Sequence, residues 1–336
     1  MKEIRFCLLL LSSWILASCV DTDEHSDTPV GNFQALWQIV DEHYCFFDYK
    51  QQEYGLDWNS VYEKYRVRIN DQMSDMQLFE VMADMLGELR DGHVNLYASA
   101  DIGRYWTWHE AYPQNFSDTL SRRYLGTDYK IAGGLKYCVL DDNIGYVRCE
   151  SFENAIGESG LDNVLSYMAL CNGMIVDIRN NGGGMLTTAQ MLAGRFVHEK
   201  TLVGYIQHKT GKAHSALSAM QPMFLEPSGN IRWHKPVCVI TNRSVFSAAN
   251  EFAVMMHRLP GVTIIGDRTG GGSGLPMNSS LPNGWQVRFS ACPMYDADRQ
   301  NTEFGIAPDV EVGLSDSDVA KGFDTMIETA RKILRK

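Results

Sequence analysis

The chain has 336 residues, a formal net charge of −11 and a pI of about 5.3. Its lysines and arginines form no cluster, and this disfavours a nucleic-acid partner, because binding to a phosphate backbone requires a basic patch. The length is sufficient for a large hydrophobic core, and we expect one small and one large domain.

The first 18 residues have the form of a lipoprotein signal peptide. Lys2 and Arg5 precede an apolar run that is too short for a membrane-spanning helix. The run ends in Leu16-Ala17-Ser18-Cys19, which resembles a bacterial lipobox and implies lipid attachment to Cys19; the alternative is an ordinary secretory signal with a chance cysteine. Residues 19–30 are then an acidic tether. We expect an exported protein anchored to a lipid bilayer in a Gram-negative-type envelope, facing the periplasm or exposed at the surface.

Six cysteines lie beyond this segment, at positions 45, 138, 149, 171, 238 and 292. They form no CxxC pair and no cysteine–histidine spacing of the kind that binds zinc, so a zinc site is not expected. The function proposed from the motifs below requires no other metal and no organic cofactor. An exported chain can form disulfides, but the sequence does not specify which cysteines would pair. Cys171 and Cys238 lie in or beside apolar strands, which predicts small buried thiols.

Residues 31–97 are predicted to form a helical domain. Phe33 to Phe47 has apolar residues at helical spacing, and further helices are expected to begin at Trp58 and Ser74. The Asp91-Gly92 pair ends the helical pattern, and residues 93–97 have the composition of a short strand. The domain therefore ends at the motif that contains His93.

Residues 98–135 are aromatic and polar, and they are predicted to form an irregular connecting segment in which Trp106 and Trp108 pack between the domains or line a cleft. From residue 136 to 336, apolar strands alternate with helices, which favours an α/β core around a covered, largely parallel sheet. Strands are expected at residues 136–140, 144–150, 173–179, 237–241 and 262–266 and near Val287 and Val310, and helices at 160–170, 187–196, 248–259 and 316–334.

Ser247 lies where the strand Val237–Thr241 leads into a helix. Backbone N–H groups and the positive end of the helix dipole favour two roles there, an acyl-transfer nucleophile or a plain N-cap. Ser244, three residues earlier, is a rival nucleophile. Glu251 is expected to be a charge at the start of the helix that complements its dipole.

Three glycines, Gly182-Gly183-Gly184, follow another strand and open a helix. Glycine lets backbone N–H groups approach a ligand closely, so an oxyanion hole, a phosphate site and a tight turn are all possible. The spacing matches neither GxGxxG nor GxxxxGK[ST], which disfavours phosphate.

Four motifs in this order resemble those of the tail-specific, or C-terminal-processing, serine peptidases, which include the tricorn core protease. They are Leu89–His93, Asp177–Gly184, the strand–Ser247–helix unit with the turn Gly266–Thr269, and Glu303–Asp309. The resemblance implies a serine endopeptidase that acts on polypeptides. It also implies an α/β fold in which an N-terminal helical bundle precedes a crotonase-like core, a spiral of ββα units.

The resemblance also implies the base. Many members use a serine–lysine dyad, but the position of that lysine is Gly272 here, and no lysine occurs between Lys235 and Lys321. The tricorn-like branch uses a histidine aligned by a glutamate, matched by His93 and Glu303, and an imidazole suits a base at neutral pH.

Two details of this implied site stay open. The branch places a serine beside the histidine, whereas this chain has Gly92, so Glu303 reaches His93 either directly or through a water. The implied oxyanion hole consists of the Ala248 N–H with one from Gly183 or Gly184.

A binding module is the main alternative to catalysis, and a structural or scaffold lipoprotein is a third option. Residues 97–143 are too few for the PDZ domain that many relatives insert there. Related repeats in the vertebrate retinoid-carrying protein of the eye use a similar fold to bind apolar ligands. The alternative is therefore a non-catalytic peptide- or lipid-binding module on the same fold.

Overall fold

Four helices open the part of the chain that the computed structural model describes, residues 25–335. They are α1 (Pro29–His43), α2 (Phe47–Tyr54), α3 (Trp58–Arg66) and α4 (Asp75–Gly87). Ser74 caps α4 through a capping box with Gln77, and Asp57 accepts two N–H groups at the start of α3. The predicted starts of α3 and α4 are confirmed. The first helix ends at His43, earlier than predicted, and α2 is a separate helix.

The prediction of an irregular segment over residues 98–135 is wrong. This part of the chain contains β2 (Ile102–Arg104), α5 (Thr107–Glu110), α6 (Asp118–Leu125) and β3 (Lys130–Ala132), after β1 (Asn95–Tyr97). Each strand has three residues, too few for an alternating pattern to be visible in the sequence. Strand β2 pairs with β1 and β3 with residues 135–137, while β1 also pairs with the distant residues 286–288.

A seven-stranded sheet forms the centre of the core, in the order β13-β10-β9-β6-β5-β4-β3. Strands β5, β6, β9, β10 and β13 are parallel to one another, whereas β4 and β3 continue the sheet in antiparallel pairing. Strands β5, β6 and β9 are buried on both faces, as expected for a covered parallel sheet. Its elements are β4 (Leu135–Val139), β5 (Ile144–Arg148), α7 (Glu158–Tyr167), β6 (Gly173–Asp177), α8 (Leu186–Ala193), β9 (Val237–Thr241), α9 (Ala248–His257), β10 (Val262–Gly266) and β13 (Val310–Glu311).

A second sheet has the order β2-β1-β12-β7-β8, with β11 also paired to β12. Its strands from the core are β7 (Thr201–Ile206), β8 (Gln221–Leu225), β11 (Gly274–Ser280) and β12 (Gln286–Asp296). Of these, only the strand near Val287 was predicted. The others contain glycine, proline or exposed polar residues, which weakens the apolar pattern.

The chain closes with two helices, α10 (Asp316–Lys321) and α11 (Thr325–Leu334), so the prediction of one helix from 316 to 334 is wrong. Gly322 has a φ of 80° and ends α10, and Asp324 then caps α11. The apolar face of α11 packs on the central sheet through Met326, Ile327 and Ala330.

The helices at the start of the chain and the second sheet share one hydrophobic cluster. Phe33, Leu36 and Met82 from the helices pack with Val287 and Phe289 from β12. This cluster fixes the helical part against the core, which matters for the site described below. Within residues 25–335, no helix has the length and apolar character needed to cross a membrane.

Candidate active site

Ser247 lies at the turn between strand β9 and helix α9, and its backbone is strained. Its φ is 55° and its ψ is −127°, a region that non-glycine residues rarely adopt. Ser247 is in the N-cap position, but its side chain makes no capping hydrogen bond. The hydroxyl is therefore directed away from its own helix, which argues against a role as a plain cap.

The Ser247 hydroxyl contacts the imidazole of His93. The distance from His93 Nε2 to Ser247 Oγ is 2.9 Å, although 154 positions separate the residues in sequence. His93 is 4% exposed, and burial lowers its pKa to about 4. The imidazole is thus neutral at pH 7, and a neutral Nε2 can accept the proton of the hydroxyl.

The turn after helix α4 places His93. Arg90 has a φ of 46°, and the Asp91 carboxylate accepts the backbone N–H of His93 at 2.7 Å. The second ring nitrogen of His93, Nδ1, is buried and has no hydrogen-bond partner among the described residues. The structure therefore holds the histidine through its backbone.

Glu303 lies near the same turn but makes no hydrogen bond to His93. Its Oε1 is 3.2 Å from Lys50 Nζ, and its Oε2 accepts the backbone N–H of Ser273 at 3.1 Å. Burial and the neighbouring Asp91 charge raise the pKa of Glu303 to about 8. The structure thus brings Ser247 and His93 together directly, with Glu303 in the adjoining buried network.

Lys50 and Asp91 are the parts of this network that sequence reasoning missed as functional candidates. Both side chains are fully buried. Asp91 Oδ2 accepts the hydroxyls of Tyr44 and Ser290, each at 2.9 Å. Burial alone would raise the pKa of Asp91, but the charge of Lys50 and these hydrogen bonds hold it below its ordinary value. Lys50 Nζ also contacts Glu303, yet the pKa values of the two carboxyls shift in opposite directions, because the Asp91 charge raises that of Glu303 and because Asp91 has more donors.

The position that a dyad lysine would occupy has no room for a side chain. Gly272 has a φ of 77°, and a Cβ atom there would overlap the ring of Phe246. That ring packs between the His93 imidazole, at 4.8 Å, and Trp108, at 4.2 Å. Trp108 thus packs beside the site, through its contact with the Phe246 ring.

The glycine turn lies against the serine. A Cβ atom on Gly183 would lie 2.8 Å from the Ser247 Cβ and 3.0 Å from the Ala248 nitrogen. The Gly183 N–H already donates to Asn181 Oδ1 at 2.9 Å. Ala248 is the first residue of α9, where a backbone N–H has no intrahelical partner. Because the Gly183 N–H is engaged, the Gly184 N–H remains as the other candidate for a second donor; Gly184 itself packs against Phe152 and Glu153.

The Asp177–Arg179 part of the glycine motif has another role. Arg179 binds both oxygens of Asp177 and also Asp324, with distances of 2.7 to 3.0 Å, and all three are fully buried. Despite burial, Arg179 and Arg148 lower the pKa of Asp177 to about 2. This network joins β6 to α11 and is structural.

The interpretation of Glu251 as an exposed helix-start charge is wrong. Helix α9 is buried along nearly its whole length, and Glu251 is 3% exposed. Its carboxyl accepts from Asn250 at 3.3 Å, and burial raises its pKa to about 8. It is therefore mainly neutral at pH 7.

The six cysteines between residues 25 and 335 are all free, and Cys171 and Cys238 are buried as predicted. The same residues contain no group of three or more histidine, cysteine, aspartate or glutamate side chains that could hold a metal ion. Cys19 and the other residues up to 24 lie outside the described part.

Solved structures resemble this chain over nearly its whole length. A candidate peptidase of Parabacteroides merdae has 49% identity and a TM-score of 0.88, covering 92% of this chain and 97% of that one. Mature CPAF shares the fold, with 13% identity and a TM-score of 0.69, covering 91% of this chain and 96% of that one.

Curated relatives match over part of their length. The carboxy-terminal processing protease CtpA of Bacillus subtilis is 25% identical over 178 residues, which cover 52% of this chain and 36% of CtpA. The tricorn protease of Thermoplasma acidophilum is 26% identical over 248 residues, or 73% of this chain and 20% of that protein. The chain thus spans about a third or less of these two relatives.

Family models agree with the resemblance seen in the motifs. The model of the tricorn protease C1 domain matches residues 27–87. The model of peptidase family S41 matches residues 143–312, about half of the chain and the part that contains Ser247. The chain therefore belongs to peptidase family S41.

Proposed function

We propose that this protein is a serine endopeptidase that hydrolyses peptide bonds in polypeptide substrates, with Ser247 as nucleophile and His93 as base. The 2.9 Å contact between His93 Nε2 and Ser247 Oγ carries the proposal. A neutral, buried imidazole in contact with a serine on a strained strand–helix turn is the arrangement that activates a hydroxyl for acyl transfer.

The reaction proceeds in two halves. Ser247 Oγ attacks the scissile carbonyl carbon while its proton passes to His93 Nε2. The N–H groups of Ala248 and Gly184 stabilise the resulting oxyanion. His93 then returns the proton to the leaving amine as the C–N bond breaks, leaving an acyl-enzyme. Water, deprotonated by His93, attacks this ester and regenerates the serine.

The buried carboxyls assist the imidazole when it becomes positively charged. The Asp91 charge already favours the protonated form of His93. Glu303 adds a second negative charge when it ionises, either directly through the local field or through a bridging water. We assign Glu303 as the third member of the site on this basis.

The fold and location are proposed on separate grounds. The alternation of parallel strands and helices from β5 to β10 supports the crotonase-like core, with α1–α4 as the helical bundle before it. The lipobox-like Leu16–Cys19 supports an exported lipoprotein anchored through Cys19. Incorporation of an alkyne-tagged fatty acid that is lost in Cys19→Ala tests the anchor, and incorporation that persists in this variant contradicts it.

Hydrolysis of a peptide library tests the activity. The purified protein is expected to create new internal N-termini, identified by sequencing of the products, while Ser247→Ala creates none. Ser244→Ala is the matched control and should retain activity. Cleavage by Ser247→Ala at the wild-type rate would overturn the assignment. A wild-type protein that binds peptides without cleaving them would favour the binding module instead.

A further inference from the structure

Lys50 is an unusual residue for its location, because it is a lysine with no exposed surface on a short helix rich in polar residues. It lies on α2, in the helical part of the chain. Its side chain is 0% exposed, so the ammonium group has been removed from water entirely. A buried ammonium is costly unless charged or polar partners surround it.

The partners of Lys50 come from the two segments that carry His93 and Glu303. Nζ donates to the backbone carbonyl of Arg90 at 3.1 Å and to Glu303 Oε1 at 3.2 Å, and it lies 4.0 Å from Asp91 Oδ2. One side chain thus connects the turn before His93 to the segment of Glu303. It is a single bridge from the helical part to both.

The turn that Lys50 contacts is strained and therefore needs support. Arg90 has a positive φ, which costs free energy in a non-glycine residue. The Lys50 ammonium fixes the Arg90 carbonyl, and Asp91 fixes the backbone N–H of His93. Since the His93 Nδ1 atom has no hydrogen-bond partner among the described residues, this backbone support adds to the Ser247 hydroxyl and the Phe246 ring in setting where the imidazole lies.

Lys50 also sets the charge of the buried network. One ammonium faces two carboxyls, Asp91 and Glu303, so it can fully balance only one of them. The other titratable or charged groups that act on these carboxyls or on His93 are Tyr44, Cys45, Tyr49, Tyr54 and Arg288. Without Lys50, the carboxyls would repel each other and hold a proton to higher pH.

We propose that Lys50 is a positioning residue of the peptidase site: from helix α2 it holds the His93 turn and Glu303 together and controls the pH at which Glu303 becomes charged. The inference rests on the proposed function of Ser247 and His93. It means that the helical part of the chain completes the site.

The rate of Ser247 labelling by a fluorophosphonate probe, measured in the purified protein from pH 5 to pH 9.5, tests this inference. Lys50→Met is expected to lower the rate at pH 7 at least about tenfold, because a small displacement of a base is costly. It should also move the alkaline rise in rate upward by about one pH unit. Lys64→Met, which removes the exposed Lys64–Glu88 pair from the same helical part, is the control and should change neither.

Asp91→Asn gives a second, opposite test in which Lys50 stays in place. With one carboxyl removed, the ammonium balances Glu303 alone, so the alkaline rise should move downward in pH. A purely structural role for Lys50 predicts no such pair of opposite shifts.

The outcomes are distinct. An upward shift in Lys50→Met and a downward shift in Asp91→Asn support the inference. A folded Lys50→Met with the wild-type rate and pH profile overturns it, as does an Asp91→Asn profile that does not move downward. If Lys50→Met does not fold, Lys50→Gln, which also removes the charge but can still donate a hydrogen bond, takes its place: the alkaline rise should again move upward, and a rise that does not move overturns the inference. Labelling of Ser247→Ala at the wild-type rate would instead overturn the proposed function.

Discussion

Two buried networks in this protein each place one basic side chain between two acidic ones, and their properties differ. In one, Arg179 lies between Asp177 and Asp324; in the other, Lys50 lies between Asp91 and Glu303. The arginine binds both oxygens of Asp177 and lowers its pKa to about 2, whereas the pKa of Glu303 is raised to about 8.

The difference follows from geometry. A guanidinium presents a fixed fork of donors that satisfies two carboxylates at once, whereas an ammonium is a single charge. In the first network Asp177 therefore stays ionised down to a pH of about 2, and the network joins elements of the fold. The second leaves Glu303 close to its titration point and His93 Nδ1 without a partner among the described residues. A network balanced in this way suits a site where charge must develop during a reaction.

The largest expected effect comes from removing the base that the second network supports. His93→Ala should lower the rate of fluorophosphonate labelling about a thousandfold or more, because the Ser247 hydroxyl loses its proton acceptor. His257→Ala is the matched control: this exposed histidine lies on the same helix as Ser247 and pairs with Asp309 at 3.0 Å. Equal labelling of His93→Ala and the wild type would contradict the account.

The first network should control stability instead. Arg179→Met leaves two buried carboxylates without their cation, so we expect a loss of about 3–5 kcal/mol in the free energy of unfolding. Urea unfolding followed by tryptophan fluorescence measures it. Arg331→Met removes a similar bridge, between Asp142 and Glu328 near the surface, and should cost about 1 kcal/mol or less.

The labelling rate distinguishes the two networks further. The folded fraction of Arg179→Met should label within about threefold of the wild-type rate, because the arginine contacts no reacting group. A large loss of labelling with an unchanged free energy of unfolding would reverse the roles assigned to the networks.

The pH dependence of labelling should report Glu303. His93 has a pKa of about 4, so the base is neutral above that pH and labelling should extend into the acidic range. As pH rises through about 8, Glu303 loses its proton and its charge stabilises the imidazolium, so the rate should rise further, by up to about tenfold. Glu303→Gln should remove only the alkaline rise. If the alkaline rise persists in this variant, the ionisation of a group other than Glu303 causes it.

Glu251 provides the control for that profile, and its substitution is expected to have the smallest effect on the labelling rate. Its pKa is also about 8, raised above the unfolded value, so its contribution to stability is present at low pH and is lost as pH rises through 8. Glu251→Gln should therefore be more stable than the wild type at pH 8, by about 1–3 kcal/mol. Its labelling should keep the alkaline rise. Equal unfolding midpoints for Glu251→Gln and wild type at pH 8 would contradict the assignment.

The sequence predicted Ser247 and His93, the two residues proposed to react, better than it predicted Lys50, which supports them. Ser247 and His93 stand in motifs, a strand–serine–helix unit and a helix-breaking Asp-Gly, that indicate their roles only together and through the family resemblance. Lys50 has no such signal, because in FDYKQQEY it has the pattern of a solvent-exposed lysine. Its burial arises only when α2 packs against Arg90 and Glu303, 40 and 253 residues away.

The errors in the predicted fold have similar causes. Strand β1 pairs with residues 286–288, far along the chain, and a single-sequence pattern does not contain that information. Strands β2, β3 and β11 pair with neighbouring strands, but they are short or contain glycine, proline and exposed polar residues, which weakens their local pattern. Glu251 was misinterpreted because helix α9 is covered on all sides, whereas a charged residue in the first turn usually faces water. The break between α10 and α11 did have a local signal, Gly322.

The central claim is that Ser247, activated by His93, is the nucleophile. Mass spectrometry of the fluorophosphonate-labelled protein tests this most directly, because it identifies the modified residue. We predict a single adduct on the peptide that contains Ser247, assigned to that serine by fragmentation and absent in both Ser247→Ala and His93→Ala. An adduct on Ser244, or one that forms equally in Ser247→Ala, would contradict the account.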